Sequence, residues 1–165
     1  MMRIIVLSLA AIACLSGVPA AHAGCSDAPA PGVDWRNCNM NGLSLPEFDL
    51  SASTLRGATF DRADLSGTIL AGIKGARARF REARLRGTRF DGALLDGAEF
   101  LRADLTGASF RDANLRAAHF QRANLRGADF TGAQILNANF RRADLSGATW
   151  IDGRTCADGS TGLCR

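Results

Sequence analysis

Tyrosine is missing from this chain of 165 residues, histidine occurs twice, and lysine is a single residue beside nineteen arginines. One histidine, His22, falls in an apolar leader, which leaves His119 as the one imidazole for acid–base work. The chain carries no phosphate-cradling P-loop, no dinucleotide fingerprint and no spacing of His, Cys, Asp and Glu that reads as a metal cluster. These absences argue against an enzyme, so no catalytic residue, cofactor or metal site is expected. Past the leader, no apolar run suggests a membrane span.

What the sequence has instead is a five-residue period. Every fifth residue from Trp35 to Trp150 is Trp, Met, Leu, Phe or Ile, with Gly75 the single exception among 24 positions. Two residues before each stands a small partner, alanine at 16 of the 19 positions from Ala58 to Ala148, a regularity that chance does not produce. A five-residue step on an α-helix rotates by about 140°, which would smear the apolar positions around the cylinder. An extended chain puts residues two apart on one face, so the Ala and the Leu or Phe of one word point inward together. The next Ala comes three residues later, out of phase, so the chain must turn a corner inside every word. Glycine two residues after the large one, as at Gly67, Gly107 and Gly147, suits a corner of positive φ.

The words Ala63-Asp64-Leu65-Ser66-Gly67, Ala113-Asn114-Leu115-Arg116-Ala117, Ala123-Asn124-Leu125-Arg126-Gly127 and Ala143-Asp144-Leu145-Ser146-Gly147 resemble those of the pentapeptide-repeat family, and the resemblance covers about residues 31–152. It implies an all-β fold, a right-handed quadrilateral β-helix with twenty residues per coil and about six coils, a rod roughly 29 Å tall at the usual strand spacing. Laid on four sides, the words make columns: Phe60, Phe80, Phe100, Phe120 and Phe140 on one side, and Phe90, Phe110 and Phe130 running up to Trp150 on the opposite side, with leucine columns between. These rings read as core rather than as a cofactor box. Gly75 would leave a void that Ile73 compensates, and a locally distorted third coil is expected there.

In chain order, Met1-Met2-Arg3, the apolar run from Ile4 to Ala13 and Ala21-His22-Ala23 read as a cleaved export signal over residues 1–23. A lipoprotein signal using Cys14 is the lesser alternative. Residues 24–32 form an extended lead-in, 33–152 the β-helix and 153–165 a closed cap. Val33, Cys38, Leu43 and Phe48 replace alanine in the first coil, as terminal repeats do when they fill an open end, and Trp35 and Trp150 read as end plugs. Four cysteines remain after cleavage, an even number in an oxidising compartment. On the implied rod, Cys25 and Cys38 lie at one end and Cys156 and Cys164 at the other, so each pair is expected to form a disulfide. The expected location is periplasmic or secreted.

Arginine carries the remaining signal. One outer column reads Arg62, Glu82, Arg102, Arg122, Arg142, reinforced by Arg79, Arg81 and Arg141. Like charges in a ladder repel unless compensated, and Asp64, Asp104 and Asp144, each two residues after its arginine, are expected to offset them. Left free, the column is an anion-binding strip for a protein or an anionic envelope component. The reading is thus an exported, non-enzymatic structural or interaction scaffold, with no nucleic acid expected and a homo-oligomer open. The resemblance also implies an alternative, the members that mimic DNA and act on DNA gyrase, although those are cytosolic and acidic. A carbohydrate-acting β-helix enzyme with paired carboxylates is a further alternative.

Overall fold

The computed structural model describes residues 23–165. Residues 1–22, with the expected export signal, Cys14 and His22, lie outside them. From Asp34 onward the middle residue of each word pairs in parallel with the residue twenty positions later, in one series that ends with Asp129 and Thr149. One turn of the solenoid therefore takes four words. Three hydrogen bonds per word tie neighbouring turns: Phe100 N–H donates to the His119 carbonyl at 2.7 Å, His119 N–H donates back to the Ala98 carbonyl at 2.9 Å, and the corner residue Arg102 N–H donates to the Gln121 carbonyl at 3.1 Å.

Corners interrupt each side before it becomes an extended strand. Ala103 N–H donates to the Phe100 carbonyl at 3.1 Å, which leaves Leu101 and Arg102 at the tip. The second tip residue has positive φ in every word from Gly32 to Gly147, on twelve glycines and on twelve other residues. A single positive φ at that place is the pattern of a type II turn. The corner geometry is thus more general than the glycines that mark it in the sequence.

Inward residues make the core. Phe60, Phe80, Phe100, Phe120 and Phe140 stack with centroids 4.9–5.3 Å apart, and Phe90, Phe110 and Phe130 stack at 5.0 and 5.1 Å. The two stacks meet edge to face, as where Phe90 lies 5.7 Å from Phe100 at 81°. Turns about 4.8 Å apart dictate the spacing within each stack, and both arrangements suit the ring quadrupole. Thr68 and Thr88 fill alanine slots with their buried hydroxyls satisfied, because each donates to a carbonyl of the turn below, Leu45 and Leu65. Trp35 closes one end against Phe60, and Trp150 closes the other against Phe130 and Phe140.

Both ends are covered in part. The lead-in begins with one turn of 3-10 helix, Ala23–Ser26, and is tied to the first coil by the Cys25–Cys38 disulfide, Cα atoms 5.4 Å apart. Trp35 and Cys38 are buried at this end, but Phe48 is 41% exposed. Phe48 therefore does not fill the end of the stack as its inward slot suggested. At the other end Cys156–Cys164 closes the tail, which folds back antiparallel on the last coil through Thr155 against Thr149 and Thr161 against Asp144.

The third coil is not distorted. Lys74 keeps its pairing with Thr54 below and Leu94 above, and Gly75 N–H donates to the Leu94 carbonyl at 2.9 Å. A β-carbon at Gly75 would meet Leu95 Cδ2 at 3.0 Å and Ile73 Cδ1 at 3.2 Å. Ile73 and Leu95 thus already occupy the space a larger residue would take, and with the volume filled the backbone has no reason to shift.

Candidate functional site

Corners stacked on consecutive turns bring the arginines onto one face. Arg62, Glu82, Arg102, Arg122 and Arg142 all sit at the second corner position, with φ between 57° and 61°. Glycine holds that position on most turns of the corner column from Glu47 to Gly147, but only once, at Gly42, in this one. L-residues pay for a left-handed conformation in Cβ sterics, about 1–2 kcal/mol. The arginine corner is therefore the most strained of the four.

The face divides by charge. In its N-terminal half Glu82 accepts from Arg62 Nε at 3.0 Å and lies 3.5 Å from Arg102. Arg79 pairs with Asp61 at 2.8 Å, and Arg81 pairs with Glu99. The Arg62 hydrogen bond, then its charge, with a smaller contribution from Arg102, hold the Glu82 carboxyl below its ordinary range. Arg122, Arg141 and Arg142 have no side-chain hydrogen bond and no ion pair among the described residues, and all three are exposed. They line an open groove of about 480 Å³ together with Arg81, Glu99, Leu101, Arg102, His119 and Gln121. His119 Nδ1 and Gln121 Nε2 are 3.4 Å apart.

A diagonal rule explains who is paired. An arginine at the first corner position reaches the acid eighteen residues later, one turn up: Arg81 to Glu99, Arg86 to Asp104, Arg111 to Asp129, Arg126 to Asp144. Residue 159, the diagonal position for Arg141, is a glycine of the tail. Residues of the second corner position pair only within their own column, and Arg122 has arginines on both sides, Arg102 and Arg142. No acid is in reach of either kind.

Asp64, Asp104 and Asp144 do not offset Arg62, Arg102 and Arg142. Each turns its carboxylate forward to the next corner, where it accepts from the backbone N–H and hydroxyl two residues on: Ser66, Thr106 and Ser146. Such an Asx turn serves the backbone first, and the second oxygen meets Arg84, Arg86 and Arg126 of the turn below or above. For Asp64 and Asp144 the hydroxyl hydrogen bond is the largest cause of a lowered pKa.

Of the seven arginines singled out from sequence, five line the upper groove: Arg81, Arg102, Arg122, Arg141 and Arg142. Arg62 lines a lower groove with Arg81, Asp61 and Glu82, and Arg79 lines neither. Sequence reading missed Gln121 as a lining residue and the pairing roles of Asp61 and Glu99; the eighteen-residue diagonal was the signal that would have found the Arg81–Glu99 pair. Among the described residues no group of three or more His, Cys, Asp or Glu could hold a metal ion. No helix of the described residues is long and apolar enough to cross a membrane.

Comparison with known proteins gives one consistent answer about the fold. The family model described as pentapeptide repeats matches residues 36–72, 76–112 and 108–147, in eight copies. No curated protein matches the chain. Among solved structures, it is similar to HetL, a pentapeptide repeat protein involved in heterocyst differentiation regulation from the cyanobacterium Nostoc sp. strain PCC 7120, at 30% identity over 75% of this chain with a TM-score of 0.53. It is also similar to QnrB1, a plasmid-mediated fluoroquinolone resistance protein, at 25% identity over 70% of this chain with a TM-score of 0.53. The chain spans 64% and 58% of the lengths of those two proteins. With the five-residue period, the twenty-residue pairing and the family model all in agreement, the chain belongs to the pentapeptide-repeat family and folds as a right-handed β-helix.

Proposed function

We propose that this protein is an exported, non-enzymatic scaffold, a four-sided rod of about six coils whose rigid faces hold other molecules, and that its arginine face meets an anionic envelope component. The observation that carries the reading is the set Arg122, Arg141 and Arg142, grouped in one groove without an acidic partner among the described residues. Eleven other arginines are in ion pairs; Arg56, Arg77, Arg116 and Arg165 also lack one among the described residues, but none of them lines this groove, where three unpaired arginines are grouped. Disulfides at both ends fit an oxidising compartment, periplasmic or extracellular. A cationic groove is the opposite of the acidic surface that a DNA mimic requires.

The test is binding of the purified protein to lipopolysaccharide, anionic vesicles and acidic polysaccharide across a salt series, beside an Arg102/Arg122/Arg142→Gln variant. The expected result is binding that salt weakens and the variant loses. Binding by neither protein, or turnover of the polysaccharide, overturns the reading.

A further inference from the structure

The geometry points to a phosphomonoester site in the upper groove, built by Arg122, Arg141 and Arg142. This rests on the anion-binding reading above and names the anion. Five arginines line the groove against one lining acid, Glu99, which Arg81 already occupies. Glu82 draws on Arg102 from the turn below. Counting both acids, the charge is five less two, or +3, and it is concentrated on the three arginines that have no partner.

Arg122 and Arg142 stand on consecutive turns and Arg141 is adjacent in sequence, so their guanidiniums repel unless an anion lies between them. A carboxylate offers one charge and two oxygens. A phosphomonoester offers about −1.5 to −2 charges and three terminal oxygens at neutral pH, which matches three guanidinium forks better. Gln121, with its amide beside His119, adds a neutral donor at the rim. A lipid headgroup and free phosphate share this chemistry.

The experiment compares vesicles of phosphatidylcholine doped with phosphatidic acid, a phosphomonoester, against vesicles of equal surface charge doped with phosphatidylglycerol, a phosphodiester. Inorganic phosphate is titrated separately, with chloride at matched ionic strength as control. The expected result is a preference for phosphatidic acid of about tenfold or more, the scale of one or two charge-assisted hydrogen bonds, with inorganic phosphate competing. Arg122→Lys and Arg142→Lys keep the charge and lose the fork, and should lose the preference; Arg62→Gln should keep it. Phosphate binding as tight as vesicle binding identifies a soluble ligand, and tight vesicle binding with weak phosphate competition identifies a lipid. Equal, salt-sensitive binding to both vesicles overturns the phosphomonoester site while leaving the anionic-partner reading standing. Failure to bind either vesicle, phosphate or acidic polysaccharide overturns both.

Discussion

Two grooves on one face of this rod share Arg81 and Leu101 and differ in charge. The lower one, about 560 Å³, sets Arg62 and Arg81 against Asp61 and Glu82. The upper one, about 480 Å³, sets five arginines against Glu99. The backbone beneath them is the same twenty-residue pairing with the same corner, so the fold does not decide the difference. It comes down to two positions: Glu82 where the upper turns have Arg122, and Asp61 where they have Gln121 and Arg141. A solenoid of this kind is indifferent to charge outside its core, and each outward column is free to be neutral or charged by single substitutions.

The largest expected effect breaks both grooves at once. Phe100 is fully buried, stacks on Phe80 and Phe120, and immediately precedes Leu101, which lines both grooves. Phe100→Ala should cost about 3–5 kcal/mol, the usual range for an aromatic removed from a core. Denaturant unfolding measures it. Because each turn is held by its neighbours, the loss should be felt across the rod. A cost under about 1 kcal/mol would mean that the turns bear load independently of the ring stacks.

A smaller change should convert the lower groove into the upper. Glu82→Gln removes the acid that lies between Arg62 and Arg102, and the variant should bind inorganic sulfate in a second, salt-sensitive class that the parent lacks at pH 7. Acid should do the same reversibly. The Glu82 carboxyl is held below its ordinary range, so its charge is present at neutral pH, persists through the ordinary glutamate range, and is lost only as pH falls through the lowered folded value. Sulfate binding by the parent should therefore stay in one class through the ordinary glutamate range and gain the second class only at pH below it. A second class at pH 6, or none for Glu82→Gln, would show that Glu82 is not what separates the grooves.

The period made most of this architecture legible. A repeat of five on a turn of twenty assigns every residue a side and a height, which is why the phenylalanine stacks, the cysteine pairs and the arginine column could be drawn from the letters. The fate of the charges could not. Asp64, Asp104 and Asp144 lie near their arginines in sequence, yet backbone N–H groups and hydroxyls at the following corner claim their carboxylates first. Side-chain direction, and the diagonal of eighteen residues that follows from it, is a three-dimensional property of the corner. Gly75 failed as a marker of distortion for a related reason: the fill by Ile73 and Leu95 depends on rotamers that a one-letter pattern does not specify.

The smallest expected effect concerns the corner itself. Arg122 holds φ at 60°, where glycine avoids the Cβ clash but loses more freedom on folding. The two costs are of order 1–2 and 0.5–1 kcal/mol, and the balance favours glycine by about 0.5–1 kcal/mol. Arg122→Gly should therefore be more stable than Arg122→Ala by that amount, since both remove the same guanidinium and its repulsion and only alanine keeps the Cβ. Both should weaken anion binding at the upper groove equally, so the pair separates backbone cost from side-chain use. If the glycine and alanine variants unfold at the same denaturant concentration, the corner is free of strain for any residue, and charge alone must carry the distinction between the two grooves.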